Sequence, residues 1–326
     1  MNNERGFALM VVMLVMTLLG IIVTELAMSM RLEASMVRSY KDVTLATHLA
    51  EAAVQQAMRE ILGPGRIAGS ARIGLDEDGT LAFYRNVGVG TTSVLIKQTR
   101  LPRQRVALGA GEFSYRISDE QARVNLNAAA RDRVDRLLTA IGLEKQARDI
   151  INDSLQDWRD PNDLSRINGA ESEDFYLKLP IPYRARNGAL QDPAELLQIR
   201  GVTPEIYRGD KDRPGLADLV TVIGGNTVNM NTAPAQVLKA LGLSDAEVTE
   251  ITQTRTRTPY SSVDPRFTVR GLAVGSTTFR IEAEGLIAGE PRARIVAIVQ
   301  RRTGRQVGGA ASPLGVATLS WRLAEP

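Results

Sequence analysis

The stretch Arg5-Gly-Phe-Ala-Leu-Met-Val-Val-Met-Leu-Val-Met-Thr-Leu-Leu-Gly-Ile-Ile-Val-Thr24 decides the first element of the fold. From Phe7 to Thr24 it carries no charged side chain. About 20 helical residues, at about 1.5 Å each, cross a hydrocarbon core of about 30 Å, so this stretch predicts one membrane-spanning helix. A secretory signal peptide usually has a shorter apolar region that ends at a small-residue cleavage site, whereas the apolar character here continues to Met30.

Beyond Arg31 the helix is predicted to continue with one apolar face. Apolar residues recur there at three- to four-residue intervals or multiples of them, as one side of a helix requires. They are Leu32, Met36, Tyr40, Val43, Ala50, Val54, Met58 and Ile61, before Gly63-Pro-Gly65. The pattern predicts one continuous helix of about 55 residues, whose first half lies in lipid and whose second half packs on a soluble domain. A coiled coil is the alternative, but sustained heptads with flanking charges are absent.

Composition excludes several classes of function. The 326 residues carry 40 basic and 37 acidic side chains, too balanced to indicate nucleic-acid binding. Cysteine is absent and His48 is the single histidine, which excludes thiolate chemistry, a multi-histidine zinc site and a Ser-His-Asp triad beyond residue 48. We therefore expect a protein that is not an enzyme. A chain longer than about 250 residues also favours more than one folded unit.

The ectodomain is predicted to be α+β, with a sheet split by a long helical insertion. Runs rich in aromatic and branched residues predict strands before and after the middle of the chain. They are Leu81–Tyr84, Ser93–Ile96, Phe113–Ile117, Thr278–Ala283, Ala293–Val299 and Val316–Trp321, with a glycine-rich loop at Gly304–Gly315. Between Asp119 and about Asp264 the start and stop signals are helical. The expected architecture is a long N-terminal helix on an antiparallel sheet, interrupted by an all-α domain.

The middle of the chain contains an internal echo. Val124-Asn-Leu-Asn127 and Val228-Asn-Met-Asn231 each precede a helical stretch that leads into Ala140-Ile-Gly-Leu143 or Ala240-Leu-Gly-Leu243. Two similar units are predicted, with asparagine capping each helix and glycine ending it.

These two units resemble the helix-hairpin-helix motif, or a SAM-like unit, and the motif can bind DNA backbones. A membrane-anchored DNA-uptake receptor is therefore an alternative function. Against it, Gly242-Leu-Ser-Asp-Ala-Glu247 places carboxylates where a phosphate would sit.

A carboxylate-rich segment follows the first unit. Hard oxygen ligands on a turning loop suit calcium, although the spacing does not match an EF-hand. A solvated loop with helix-capping acids is the other interpretation, and glycoside hydrolysis by paired carboxylates lacks a recognisable sugar-stacking groove. The candidate ligands are Asp157, Asp160, Asp163, Glu171 and Asp174.

The residues before the apolar stretch resemble a type IV prepilin leader, which a membrane peptidase removes. The resemblance places the cut between Gly6 and Phe7 and implies methylation of the new terminus at Phe7. Most pilin-like subunits carry glutamate at the fifth residue after the cut, where this chain has Val11. In that family the carboxylate is thought to pair with the terminal amine of the subunit ahead, so a subunit with nothing ahead needs none.

The whole arrangement resembles the general secretion pathway protein K family, the large minor pseudopilins of type II secretion systems. The resemblance is carried by Arg5–Phe7, Val11, Ser118–Asn127, Asp157-Trp158 with Asp160, Gly169–Glu171, Pro182-Tyr183, Asn187 and Val228–Asn231. It implies calcium in the acidic loop, with no other cofactor. The implied partners are other minor pseudopilins at a pseudopilus tip, the prepilin peptidase, the inner membrane and exported substrates, without nucleic acid.

The resemblance also implies a location and a division of the chain. The protein would cross the bacterial inner membrane once, with its C-terminal domain in the periplasm, and would support export of folded proteins across the outer membrane. The expected segments are residues 1–6 as leader, 7–30 as transmembrane helix, 31–118 as amphipathic helix and first part of the pseudopilin domain, 119–264 as inserted α-domain, and 265–326 as closing strands.

Overall fold

A computed structural model describes residues 3–63, 72–89, 92–211, 213–302, 306–307, 310–311 and 315–324. Its first element is a helix of 60 residues, α1, Asn3–Leu62, which agrees with the predicted continuous helix. The other α-helices lie between the two halves of the main sheet: α2 Arg131–Ala140, α3 Lys145–Arg159, α4 Pro204–Arg208, α5 Leu216–Leu219, α6 Ala235–Ala240 and α7 Asp245–Arg257. The α+β class with a long N-terminal helix and antiparallel sheets is confirmed.

The strands lie mostly at the two ends of the described chain. Those before α2 are β1 Arg72–Leu75, β2 Leu81–Val89, β3 Thr92–Lys97, β4 Val106–Leu108, β5 Gly111–Asp119 and β6 Val124–Asn125. Those after α5 are β7 Val220–Thr221, β8 Val228–Asn229, β9 Leu272–Ala273, β10 Thr278–Ile287, β11 Glu290–Arg302, β12 Gln306–Val307, β13 Ala310–Ala311 and β14 Gly315–Ala324.

The main sheet has five antiparallel strands in the order β14-β11-β10-β5-β4. Strands from before and after the helical middle therefore pair directly, since Ile117 of β5 lies opposite Ile281 of β10. The prediction of a sheet split by an insertion is correct in this respect. The predicted strands at Leu81–Tyr84 and Ser93–Ile96 do not join that sheet. They form a separate three-stranded sheet, β1-β2-β3, because β2 pairs with its sequence neighbours on both sides.

The distal part of α1 packs on one face of the main sheet and forms a first core with it. Small residues on α1 allow the helix to approach the strands closely, and alternate residues of the strands complete the core. The buried members include Ala50, Ala53, Val54, Ala57, Ile61, Tyr115, Ile117, Phe279, Ile281, Ile295, Ala297 and Val299.

A second core lies entirely within the helical middle and its short strands. Its buried residues run from Val124 to Leu272 and include Trp158, Tyr176, Leu138, Leu238 and Phe267. The second core shares no buried residue with the first among the described residues. Two cores are what an inserted unit would produce, because each unit must bury its own apolar surface.

The internal echo corresponds to two matching turns. Asn125 and Asn229 each accept the backbone N–H two residues ahead through the side-chain oxygen. Gly142 and Gly242, each with φ of 83°, follow α2 and α6 as the predicted left-handed residues. The expectation that asparagine caps these helices is wrong: the N-cap positions are Ala130 and Pro234, without a side-chain cap.

The second asparagine of each Asn-x-Asn sequence, Asn127 or Asn231, instead forms hydrogen bonds to the loops around it. Asn127 donates to the carbonyls of Leu190 and Val222, and Asn231 donates to those of Tyr260 and Val274. These asparagines lie too far ahead of the helix start to cap it, and they satisfy the backbone of neighbouring loops.

We call the part of the chain that forms the second core the helical unit. The helical unit touches the face of the main sheet that α1 leaves free. Ser320 and Arg322 of β14 line a cavity of about 190 Å³ together with Asp192 and Tyr207 of the helical unit. Arg322 also forms an ion pair with Asp192. Thus α1 lies on one side of the sheet and the helical unit lies on the other.

Candidate functional site

The membrane-proximal part of α1 is exposed on all sides. Among the residues that the structure describes, one helix, Phe7–Leu62, is long and apolar enough to cross a membrane, and none of its most apolar part is buried by them. Phe7 is 69% exposed and Val11 is 42% exposed. Met1 and Asn2 of the predicted leader lie outside the described residues, as do the side chains of residues 3–6.

The exposed part of α1 is longer than a bilayer is thick. From Phe7 to Val43 the helix extends for about 55 Å, whereas the hydrocarbon core is about 30 Å thick. Contact with the sheet begins near Ala46, the first fully buried residue of α1. Before Ala46, the described chain reaches α1 at Arg292 of β11, which lines a small pocket with Ser35 and Asp42, and Met36, Tyr40 and Val43 stay exposed.

The acidic loop begins where α3 ends. Asp157 lies on the last turn of α3 with its side chain fully buried. Arg166 returns to it, because its backbone N–H donates to Asp157 Oδ2 at 3.1 Å and its Nη1 lies 2.6 Å from Asp160 Oδ2. The same Nη1 donates to Asp157 Oδ1 at 2.5 Å. One guanidinium thus lies between two of the predicted ligands.

Gly169 allows the loop to close over Asp157. A β-carbon built on Gly169 would lie 1.8 Å from Asp157 Oδ2, so no other residue fits without displacing that carboxylate. Beneath the loop, Trp158 packs edge-on against Tyr176 and Tyr183, with ring centroids 5.3 and 6.3 Å away. These rings provide a rigid apolar floor for the carboxylates.

Glu171 is the unusual member of the group. It is 1% exposed, and neither of its carboxylate oxygens has a hydrogen-bond partner among the described residues. Burial raises the pKa of Glu171 to about 7, and the charges of Asp157, Asp160 and Asp163 act in the same direction. Burial of a charged carboxylate without a partner is unfavourable in free energy, so binding of a proton or a cation would stabilise Glu171.

The other two predicted ligands hold the loop together. Asp174 accepts hydrogen bonds from the backbone N–H of Glu171 at 2.8 Å and from the Ser165 hydroxyl. Asp163 accepts a hydrogen bond from Asn187 Nδ2 at 2.8 Å. Within the described ranges, no group of three or more acidic or histidine side chains is arranged around a common point that would hold a metal ion. The structure therefore places Asp157, Asp160 and Glu171 in one charged neighbourhood and gives Asp163 and Asp174 structural hydrogen bonds.

The sequence did not predict a buried junction at Asp119 and Glu120, although both residues lie within the Ser118–Asn127 motif. Asp119 Oδ2 accepts hydrogen bonds from Asn229 at 2.8 Å, Thr232 at 2.5 Å and Ser276 at 2.6 Å. Glu120 accepts two hydrogen bonds from Arg280. The two acids connect the end of β5 to the second helical unit and to β10. The signal was present as two adjacent acids at the end of a buried strand, where acids need hydrogen-bond donors or opposite charges.

Comparison with known proteins agrees with this architecture. Two family models, both described as type II secretion system protein K, match residues 115–211 and 228–271, which contain the two asparagine-containing units. A type II secretion system protein K from Pectobacterium carotovorum subsp. carotovorum is 27% identical over 50% of this chain and 55% of its own length. Another from Pseudomonas aeruginosa is 29% identical over 52% of this chain and 51% of its own length. The chain thus spans about half the length of these curated relatives.

A solved structure shares the fold. A chain in the crystal structure of the GspK-GspI-GspJ complex, from the type 2 secretion system of enterotoxigenic Escherichia coli, superposes with a TM-score of 0.55. The superposition covers 91% of this chain and 99% of that chain, at 17% sequence identity. At this identity the likeness concerns the fold.

Proposed function

Since the chain belongs to the type II secretion system protein K family, we propose that it is a minor pseudopilin that initiates or caps a pseudopilus with other minor pseudopilins. In this role it supports export of folded proteins across the outer membrane. One observation carries the proposal. The apolar first part of α1 is exposed, its distal part packs on one face of the sheet, and the large helical unit touches the other face.

The bulk of the helical unit is the reason for a position at the tip. We assign residues 119–264 to this inserted unit, and its separate core also takes in Phe267 and Leu272 beyond that boundary. A subunit added above this one would have to place its own body where the helical unit lies, and close packing forbids that overlap. The same subunit can still accept neighbours beside and below its anchor helix.

Processing and location follow from the same assignment. The prepilin peptidase would cut between Gly6 and Phe7, and Phe7 would be methylated. The helix would then cross the inner membrane once, with the sheet and helical unit in the periplasm. The intact mass of the protein purified from membranes tests this, since loss of residues 1–6 with gain of one methyl group is expected, and a chain that retains Met1 contradicts it.

Calcium is proposed at the acidic loop. The Glu171 carboxylate, which has no hydrogen-bond partner among the described residues, is influenced by the charge of the buried Asp157, and a bound cation would satisfy it, with Asp160 as a further donor. Calcium accepts carboxylate oxygens in flexible arrangements, which suits a loop of this kind. When bound it would neutralise the excess negative charge there. Asp163 and Asp174 would position the loop around it through the hydrogen bonds they already make.

DNA uptake is the alternative function. Gly142 and Gly242 end matching helices in the same left-handed conformation, as hairpins that present backbone N–H groups do. Opposing this, Glu144 and Asp245 follow within three residues, and carboxylates repel phosphate. A DNA-binding assay at several salt concentrations separates the two functions: a salt-dependent affinity supports uptake, and its absence supports the pseudopilin.

The principal test is genetic and biochemical. Deletion of this chain from a cell with a complete type II system is expected to abolish secretion. The full chain should also copurify from membranes with the GspI and GspJ homologues of that cell. Normal secretion in the deletion strain, or no copurification, contradicts the proposed function.

A further inference from the structure

The edge strand β14 presents apolar side chains on the face that α1 only partly covers. Trp321 lies opposite Ala297 of β11, and Leu323 lies opposite Ile295. Both β11 partners belong to the core beneath α1, so Trp321 and Leu323 project to the same side of the sheet as α1. Trp321 is nevertheless 42% exposed and Leu323 is 63% exposed.

The intervening residues confirm this assignment of faces. Ser320 and Arg322 line the cavity against the helical unit, on the opposite side of the sheet. Because side chains alternate along a strand, Trp321 cannot share that side with them. The exposed strip is therefore uncharged, since the basic Arg322 points away from it.

An exposed apolar row on α1 continues the strip towards the membrane. Met36, Tyr40 and Val43 are spaced by four and three residues and lie on one side of α1, all of them exposed. Ala50 and Val54 extend the same row and are buried against the sheet.

The row lies on the β14 side of α1. Glu60 bonds Tyr115 of β5, so its side of the helix faces the β5 end of the sheet. At about 100° per residue, Tyr40 and Val43 lie well away from Glu60 around the helix, towards the opposite end of the sheet, where β14 is the edge. The row and the strip therefore border one apolar channel.

The width of this channel matches one helix. The carbonyl of Ala46 on α1 lies against Gly285 of β10, and β14 is two strands away from β10. Two strand spacings amount to about 9.5 Å, and packed helices have axes about 8–10 Å apart. A helix that lies over β14 would therefore pack side by side with α1.

A strand added to the edge of β14 would not fill the channel. Such a strand extends the sheet in its own plane and leaves side chains that project from the sheet face uncovered. Only an element that lies on the face covers Trp321 and Leu323. Because the apolar row on α1 leads directly to the membrane span, an element that runs along it also reaches the membrane.

We propose that Trp321 and Leu323, with Met36, Tyr40 and Val43, form the docking channel for the membrane-anchored helix of a second subunit. This helix runs alongside α1 and is apolar on the side that it buries. The inference rests on the proposed function, because it assigns the face by which this minor pseudopilin holds a neighbour.

Disulfide crosslinking tests the channel, since the natural chain has no cysteine. The full chain carrying Trp321→Cys or Leu323→Cys is produced in membranes with GspI and GspJ homologues that carry single cysteines along their first helices. Ser320→Cys, on the other face of the same strand, is the matched control. We expect about tenfold more crosslinked product from positions 321 and 323 than from 320, since a disulfide requires β-carbons about 4 Å apart.

The outcomes separate the channel from the function. If the subunits copurify but positions 321 and 323 crosslink to the partners' first helices no more than position 320 does, the channel is wrong and the proposed function stands. If no subunit copurifies, the proposed function itself is contradicted.

Fluorescence gives a second measurement that needs no crosslink. The chain has two tryptophans, so the Trp158→Phe variant, combined with partners whose own tryptophans are replaced by phenylalanine, leaves Trp321 as the only reporter. Its emission should shift to shorter wavelength, with less quenching by acrylamide, when the partners are present. Emission that is already shifted in the chain alone, or that does not change in the complex, contradicts the proposal.

Discussion

Gly285 of β10 lies directly beneath the backbone of Ala46 on α1: a β-carbon on Gly285 would be 1.8 Å from the Ala46 carbonyl oxygen. The helix therefore approaches the sheet closely at a residue whose side chain is a hydrogen atom. This contact fixes the height of α1 above the strands and the level at which the anchor leaves the folded body.

Substitution at this contact should lift the helix. Gly285→Ala is expected to destabilise the protein by about 3 kcal/mol, the upper part of the range for overpacking, because the obstructing atom belongs to the backbone. Gly275→Ala is the matched control, since a β-carbon there meets nothing within 4 Å. Chemical unfolding of both full-length variants in detergent measures the difference, and equal stability of the two would refute the contact.

A buried ion pair joins α1 to the sheet. Arg103 Nη2 lies 2.7 Å from Glu60 Oε1, both side chains are 6% exposed, and the Tyr115 hydroxyl donates to Glu60 at 2.9 Å. Glu60→Ala leaves Arg103 buried without its carboxylate, so we expect a loss of about 3–5 kcal/mol in the free energy of unfolding.

The exposed pair of Arg105 with Glu112 provides the comparison for this ion pair. Its partners are 3.3 Å apart on the surface, and Glu112→Ala should lower the free energy of unfolding by less than about 1 kcal/mol. Both variants are compared by urea unfolding of the full chain. Similar losses from the buried and the exposed pair would contradict the burial of Glu60.

The junction at Glu120 should make stability depend on pH. Burial alone would raise the pKa of Glu120, but the hydrogen bonds from Arg280 and the charge of Arg123 outweigh burial and lower the pKa below its usual 4.5. The stabilisation is therefore complete above about pH 4.5 and is lost as pH falls through the folded-state pKa.

Glu120→Gln isolates this contribution. The wild type should be more stable than the variant at pH 7, and the gap should narrow as the pH is lowered below about 4.5. Melting temperatures of the two proteins between pH 7 and pH 3 measure the gap, with Glu112→Gln as a surface control. A gap that stays constant over this range would show that Glu120 is not charged at the junction.

Glu171 should carry the response to calcium. Calcium is expected to raise the melting temperature of the full chain, and Glu171→Gln should reduce this rise by removing a charged ligand. Glu173→Gln, two residues away in a largely exposed ion pair with Arg184, should leave the rise unchanged. An equal calcium response in wild type and Glu171→Gln, or none in either, argues against a site at this loop.

Val11 offers a test of position in the filament. Val11→Glu introduces the carboxylate that most pilin-like subunits carry, which the amine of a preceding subunit can neutralise in lipid. We expect the variant to fold normally, since Val11 touches no part of the folded body, and to be accepted within the shaft. Isolated filaments are probed for the variant along their length, and complete loss of folding counts against this interpretation.

Local patterns in the sequence were sufficient to predict the long helix and the strands of the main sheet. The uncharged run after Gly6 predicted the anchor, and the recurrence from Leu32 to Ile61 predicted its continuation, because a helical period is written in adjacent residues. The branched and aromatic runs predicted the strands of the main sheet. The sequence did not predict which strands pair with each other, since nothing in the Leu81–Tyr84 run shows that it joins a separate sheet.

The predicted metal ligands show the same limit. The sequence identified a loop rich in carboxylates, but not that Arg166 lies between Asp157 and Asp160 or that Asp174 binds the loop backbone. It also gave no role to Asp119 or Glu120, because the partners that join them to other segments lie 101 to 160 residues away along the chain.

By itself, the sequence determined the anchor, the order of the elements and the existence of two similar helical units, since these depend on residues close together in the chain. Only the tertiary structure decided that Gly285 meets Ala46, that Glu171 is buried with no hydrogen-bond partner among the described residues, and that Trp321 and Leu323 are exposed on the α1 side of the sheet. Such features depend on which distant segments meet, and that is settled by the packing of the whole chain.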